Sequence, residues 1–233
     1  MEKDGVKILT LSDSALCVEL GQGIELKTNR RVHSLCRAVK AANIAGVTEL
    51  VPTYRSLAVH YDIMQTDEES LKAALRPVID ALGEGETAQG ELIKIPVLYG
   101  GEFGPDIETV AKLNSLSVDD VIAIHSAPEY PVYMLGFLPG FCYLGGMDKR
   151  IAAPRLKTPR VRIEPGSVGI AGEQTGIYPL ASPGGWQLIG RTPLSLYSPK
   201  REKPIFIEAG MRIKFYPVTL AEFERIKAGE ESK

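Results

Sequence analysis

The sequence predicts an α+β amino-terminal domain followed by a mainly β domain, and two contrasting patterns lead to this fold class. In the first third of the chain, two segments carry apolar residues at helical spacing, and short β-type runs flank each of them. Residues 136–193 hold 11 of the 23 glycines and 7 of the 16 prolines, which leaves no window for an uninterrupted helix. We therefore expect short strands and tight turns in that segment.

The first third of the chain follows the order ββαββα, which describes a small α/β sandwich. Four β-type runs are predicted, at residues 6–11, 15–20, 49–53 and 56–61. One helix begins near Asn29 and is indicated by Val32, Leu35, Cys36 and Val39. A second helix is indicated by Leu71, Leu75, Val78, Ile79 and Leu82.

A polar, glycine-rich and aperiodic stretch, residues 83–90, marks the predicted domain boundary. We assign residues 1–85 to the small domain, 86–90 to a linker, 91–226 to the second domain and 227–233 to a frayed tail. Two helices are expected in the second domain, at residues 106–113 and 117–124. Strands are expected at residues 93–99, 130–136, 167–171, 186–189 and 212–216, a pattern that favours a closed or nearly closed barrel.

Composition and charge exclude several classes of function. The formal net charge is -2 and no basic run is interleaved with aromatics, so we expect no nucleic-acid partner. The amino terminus has acidic residues and no apolar signal region, and the most apolar stretch is too short and too interrupted to span a membrane. A cytoplasmic protein is expected. The three cysteines form no CxxC pair, which argues against a structural metal site.

Five strings, taken in order, strongly resemble one known family, and the likeness covers nearly the whole chain. They are RSLAVHYD (55–62), YGGEFGPD (99–106), LGFLPGFCYLGG (135–146), PGSVGIAGEQTGIYP (165–179) and SPGGWQLIGRTP (182–193). The family is that of the B-type subunits of 5-oxoprolinase, also called KipI-like or allophanate hydrolase subunit 1. The resemblance implies an amino-terminal α/β domain and a carboxy-terminal cyclophilin-like β-barrel.

The resemblance also implies a function within a complex. A family member works in the cytoplasm with two other 5-oxoprolinase subunits, one of which has a related barrel, and the complex opens 5-oxo-L-proline to L-glutamate at the expense of ATP. The sequence has no G-x-x-x-x-G-K-[ST] motif, so ATP is not bound by a P-loop in this chain. Two alternatives stay open: inhibition of a sensor histidine kinase, and a barrel subunit in urea or allophanate metabolism.

Opening a lactam requires a general base and donors for developing negative charge. His125 is the candidate base, because it is one of three histidines and directly precedes the aromatic, glycine-rich block. The alternative is a helix-terminal histidine that binds a carbonyl group. Cys142 could act as a nucleophile, or it could be a small buried thiol.

Further side chains in the strings could bind a small-molecule substrate or a phosphate. Guanidinium groups bind carboxylate or phosphate through two parallel hydrogen bonds, and neutral groups can orient an amide. The candidates are Arg191, Arg155 and Arg160 for anions, Gln174, Thr175 and Tyr178 for the amide, and the backbone of Gly169 and Gly172 for phosphate. For the glycines, a tight turn is the alternative. We expect the site on a concave barrel face with His125 at its edge.

Overall fold

The computed structural model of the protein describes residues 5–83 and 90–231. The chain divides into two compact units, residues 1–88 and 89–233. The predicted linker, residues 86–90, lies outside the described residues apart from Gly90.

The amino-terminal unit is a four-stranded antiparallel sheet with two helices, as far as residues 5–83 describe it. Its elements are β1 (Lys7–Ser12), β2 (Ala15–Glu19), α1 (Leu26–Ala42), β3 (Val47–Pro52), β4 (Ser56–Tyr61) and α2 (Glu68–Asp80). The strand order is β1-β2-β4-β3. Inward-facing residues of β2 and β4, among them Leu16 and Val59, form one core with the apolar stripes of both helices. The predicted order ββαββα is confirmed.

The carboxy-terminal unit is built around a closed barrel. Its elements are β5 (Leu92–Tyr99), α3 (Ile107–Leu113), α4 (Val118–Ser126), β6 (Tyr130–Leu135), β7 (Cys142–Leu144), β8 (Arg160–Ile163), β9 (Ser167–Ala171), β10 (Gln174–Ile177), β11 (Ser182–Gly184), β12 (Gln187–Arg191), β13 (Arg212–Pro217) and α5 (Leu220–Glu231). Within residues 90–231, seven strands close the barrel in the order β10-β7-β6-β13-β5-β12-β9, and β11 and β8 form a separate pair. The predicted fold class is confirmed.

The barrel wall separates two apolar clusters. Inward-facing residues such as Ile170 and Ile177 form the interior core, and an aromatic cluster covers part of the outer face. Gly169 and Gly176 are cross-strand partners beneath that outer cluster. A Cβ atom at either glycine would lie 3.1–3.2 Å from Trp186, so the missing side chains leave room for the indole ring against the sheet.

The last helix differs from the prediction for the carboxy terminus. Residues 227–231 lie in α5, although the sequence predicted a frayed tail from residue 227. Glu222 accepts hydrogen bonds from the backbone and the hydroxyl of Thr219 at the start of this helix. Phe223 is buried and packs on Phe103, with ring centroids 4.9 Å apart. These contacts attach α5 to the barrel unit.

Residues 5–83 and 90–231 contain no candidate for a membrane-spanning helix or for a metal centre. No helix in these ranges has both the length and the apolar character needed to cross a bilayer. No group of three or more His, Cys, Asp or Glu side chains there could hold a metal ion.

Candidate functional site

His125 lies inside the barrel rather than at the edge of an open face. The residue has no exposed surface, and its imidazole stacks on Phe215 with ring centroids 4.7 Å apart. Nδ1 lies 2.7 Å from the hydroxyl of Tyr99 on β5, and Nε2 lies 2.9 Å from the hydroxyl of Thr175 on β10. Because β5 and β10 are not neighbours in the ring of strands, the imidazole connects separate parts of the barrel wall.

The hydrogen bonds around His125 assign its protons. The Thr175 hydroxyl donates to the Gly169 carbonyl at 3.1 Å, so it accepts from Nε2–H of the histidine, and Nδ1 accepts from Tyr99. Burial lowers the pKa of His125 from 6.5 to about 3, which keeps the ring neutral. Both nitrogens are occupied and no solvent reaches them. The arrangement supports a structural role, and the general-base hypothesis has no geometric support here.

The outer aromatic cluster is packed as a second core and does not form the concave wall expected from the sequence. Tyr178, Phe141 and Trp186 are each at most 5% exposed and meet edge to face. Burial raises the pKa of Tyr178 to about 12. Phe137 is the exception, since 61% of its surface is exposed and its φ angle is +67°.

Cys142 faces the barrel interior and is fully buried. Burial raises its thiol pKa to about 12, so the thiolate that a nucleophile requires is not available. This is the buried-thiol alternative considered from the sequence.

Two of the candidate arginines have different environments. Arg160 forms an ion pair with Asp106 at 2.7 Å, and the same carboxylate accepts the Leu188 backbone N–H at 2.6 Å. Arg160 therefore connects β8 to the beginning of α3 and to β12, and its charge is already paired. Arg155 is exposed. Burial raises the pKa of Tyr143, and the positive charge of Arg155 opposes this increase to a smaller extent.

The glycine-rich string does not form a phosphate cradle. The Gly166 N–H donates to the Tyr178 carbonyl at 2.7 Å, and the Gly172 N–H donates to the Ala153 carbonyl at 2.7 Å. Gly169 is paired with strands on both sides. Gly166 and Gly172 have φ angles of +81° and +58°, so the turn alternative describes these two positions. Gln174 is half-buried next to the turn between β9 and β10.

An open groove of about 770 Å³ in the carboxy-terminal unit is the best candidate for a binding site. Three of the strings that carry the family resemblance contribute to its walls. YGGEFGPD contributes Glu102 and Phe103, PGSVGIAGEQTGIYP contributes Pro165 and Pro179, and SPGGWQLIGRTP contributes Arg191, Thr192 and Pro193. Helix α5 adds Phe223, Glu224, Lys227 and Glu230. Segments far apart in the sequence thus meet in one cleft.

Arg191 is the central polar group of this groove. It is the last residue of β12, and its guanidinium carbon lies 5.4 Å from the centroid of the Phe103 ring. Its Nε atom is buried and has no hydrogen-bond partner among the described residues. Nearby, Glu164 pairs with Arg162 at 2.7 Å, and the hydrogen bond from Arg162 is the main cause of its lowered pKa, with a smaller contribution from the charge of Arg191.

The groove carries charges of both signs. Among the described residues, its lining has the carboxylates Glu102, Glu164, Glu224 and Glu230 and the two cations Arg191 and Lys227. Two of these carboxylates pair with cations outside the lining, Glu164 with Arg162 at 2.7 Å and Glu230 with Arg201 at 3.6 Å, so the opposite charges nearly balance. The amides of Gly166 and Gly172 are not free for a phosphate, since both donate to backbone carbonyls.

Comparison with known proteins identifies the family. The model of the carboxyltransferase domain, subdomain C and D, matches residues 6–207. The B-type 5-oxoprolinase subunit of Bacillus subtilis is 44% identical over 236 residues, which cover 97% of this chain and 98% of that protein. The chain belongs to the family of B-type 5-oxoprolinase subunits. The resemblance found in the sequence is thereby confirmed.

Solved structures share the fold of this chain. The crystal structure of TTHA0988 matches with a TM-score of 0.78 and 36% identity over 88% of this chain, which spans 40% of that longer protein. The Kluyveromyces lactis urea carboxylase matches with a TM-score of 0.78 over 97% of this chain and 23% of the enzyme. At 22% identity, the second likeness concerns the fold alone.

The structure separates the residues that the sequence grouped into one site. His125 and Thr175 lie in the barrel interior, Gly169 and Tyr178 pack in the outer cluster, and Arg191 lines the groove. Sequence reasoning missed the groove residues Phe103, Glu164, Tyr197 and Phe223. Phe103 was visible within YGGEFGPD, but nothing in the sequence indicated that this string approaches β12.

Proposed function

We propose that this chain is the B-type subunit of a 5-oxoprolinase that opens 5-oxo-L-proline to L-glutamate with the hydrolysis of ATP in the cytoplasm. The observation that carries the proposal is the 44% identity to the Bacillus subtilis B-type subunit over 98% of that protein. Two partner subunits complete the complex, and one of them has a related barrel.

The geometry favours a division of labour between the subunits. The buried His125 and Cys142 supply neither a free base nor a thiolate, and the amides of Gly166 and Gly172 donate to backbone carbonyls. We therefore assign ATP and the hydrolytic groups mainly to the partner subunits. The contribution of this chain is a substrate-binding groove and a rigid barrel that the partners contact. The isolated chain should not turn over substrate.

Glutamate release in the presence of ATP tests this proposal. The purified chain alone, each pair of subunits and the complete mixture are compared at equal concentrations, and omission of ATP is the control. We expect turnover only from the complete mixture with ATP. Robust turnover by the lone chain would disprove the division of labour, and an inactive complete mixture would disprove the 5-oxoprolinase assignment.

The two alternative functions make different predictions. A histidine-kinase inhibitor would add nothing to glutamate release by the other subunits, and in a separate assay it would reduce autophosphorylation of its kinase. The likeness to urea carboxylase is a likeness of fold at 22% identity, so it gives no support for a urea substrate.

A further inference from the structure

We propose that the groove binds the carboxylate of the lactam substrate through Arg191, and that Phe103 is the platform on which this arginine is held. The inference rests on the proposed function, because it takes 5-oxo-L-proline as the substrate. It assigns the groove to the amino-acid substrate.

Arg191 brings unused hydrogen-bond donors to the groove. Its Nε atom is buried, but the guanidinium group lines the groove and makes no hydrogen bond with the described residues, so its two Nη groups are left for a ligand. A planar carboxylate can accept from both Nη–H groups at the same time, in a forked pairing typical of arginine. The hydrogen bond from Arg162 is the main cause of the lowered pKa of Glu164 and the charge of Arg191 contributes less, so this carboxylate is engaged with Arg162.

The guanidinium group of Arg191 is held by its surroundings. Its carbon atom lies over the Phe103 ring, 5.4 Å from the centroid, and Phe223 of α5 packs on Phe103 with ring centroids 4.9 Å apart. The turn from Glu164 to Ser167 lies directly against the stem of Arg191, since a Cβ atom at Gly166 would be 3.4 Å from Arg191 Cγ. A restrained fork loses little conformational entropy when it binds a ligand.

The groove also matches a small lactam. Pro165, Pro179 and Pro193 provide apolar surface for the ring methylenes. The carboxylates of Glu102 and Glu164 line the same groove and can accept a hydrogen bond from a lactam N–H or from the ammonium group of the product. A ligand with one carboxylate and one nitrogen donor fits this mixture of charges.

Steady-state kinetics of the reconstituted three-subunit complex test the inference with three variants. Arg191→Gln removes the charge, Arg191→Lys keeps the charge but loses the fork, and Arg150→Gln alters an arginine that is 68% exposed and does not line the groove. For Arg191→Gln we expect KM for 5-oxo-L-proline to rise by about 10- to 150-fold, the range for losing a charged hydrogen bond. KM for ATP should not change. Arg191→Lys should show most of this loss, and Arg150→Gln should stay within about twofold of the wild type.

An analogue separates substrate binding from a general structural effect. 2-Pyrrolidinone is the same lactam without the carboxylate, so as an inhibitor it should bind wild type and Arg191→Gln equally. If its inhibition weakens in parallel with 5-oxo-L-proline, Arg191 only maintains the shape of the groove and the proposal is wrong. A rise in KM for ATP, or no change in either KM, would also overturn it.

The failure of this inference can be distinguished from the failure of the proposed function. An active complex in which Arg191→Gln behaves like wild type keeps the function and refutes the groove assignment. If the wild-type complex is inactive, calorimetric titration of that complex with 5-oxo-L-proline decides. Binding that is lost in Arg191→Gln would retain the site, and the absence of binding would refute it.

Discussion

Replacing His125 with glutamine should lower the stability of the barrel near neutral pH and make that stability less sensitive to acid. Burial lowers the pKa of His125 to about 3, whereas the unfolded chain titrates near its ordinary value of 6.5. As the pH falls below 6.5, the unfolded state therefore binds a proton at His125 that the folded state does not bind. The contribution of the neutral imidazole to the free energy of unfolding is complete above pH 6.5 and is lost as the pH falls towards 3.

The magnitude follows from the two pKa values. Each pH unit below 6.5 removes about 1.4 kcal/mol from the free energy of unfolding, so at pH 5 the loss due to His125 is about 2 kcal/mol. Glutamine has no such titration. At pH 7.5 the variant should be less stable by about 2–4 kcal/mol, because glutamine does not reproduce both the stacking on Phe215 and the hydrogen bonds to Tyr99 and Thr175.

Urea unfolding at pH 7.5 and pH 5, followed by the fluorescence of Trp186, measures these differences, since it is the single tryptophan of the sequence. His33 and His60 are common to both proteins, so the comparison isolates His125. Equal losses of stability between the two pH values in wild type and variant would refute the reasoning. In the reconstituted complex, a loss of turnover of about 10²-fold at unchanged stability would instead restore the general-base hypothesis.

Three further predictions concern the barrel unit. The thiol of Cys142 should stay unreactive towards a disulfide reagent at pH 8 and react only on unfolding, because it is buried and its pKa is raised to about 12; rapid labelling of the native protein, mapped by mass spectrometry, would contradict this. Gly166→Ala places a Cβ atom 2.3 Å from a backbone carbonyl and should cost several times more stability than Gly172→Ala, whose Cβ atom meets nothing within 4 Å. Equal melting temperatures would be inconsistent with that contact. Asp106→Ala leaves Arg160 and a buried N–H without their partner and should lower the free energy of unfolding by about 1–3 kcal/mol in urea; an unchanged midpoint would show that the ion pair adds no stability.

The local residue pattern was sufficient to predict whether most of the longer elements are helices or strands. The stripe of Val32, Leu35 and Val39 predicted α1, although the helix begins at Leu26, three residues before the predicted start. The density of glycine and proline after residue 136 correctly excluded long helices. The short strands β7, β8, β10 and β11 were missed, because three or four residues are too few to give a recognisable alternation.

The candidate site shows where sequence reasoning ends. The strings contained Arg191 and Phe103, and they were enough to indicate the family and the two-part fold class. The pairing of His125 with Thr175 across the barrel, 50 residues away, and the bond from the Leu188 amide to Asp106, 82 residues away, became visible in the folded chain alone. Residue patterns report burial and turn chemistry over a few neighbouring positions. Closure of the barrel depends on strand pairings between distant segments, and those pairings place one arginine in an open groove and one histidine in the core.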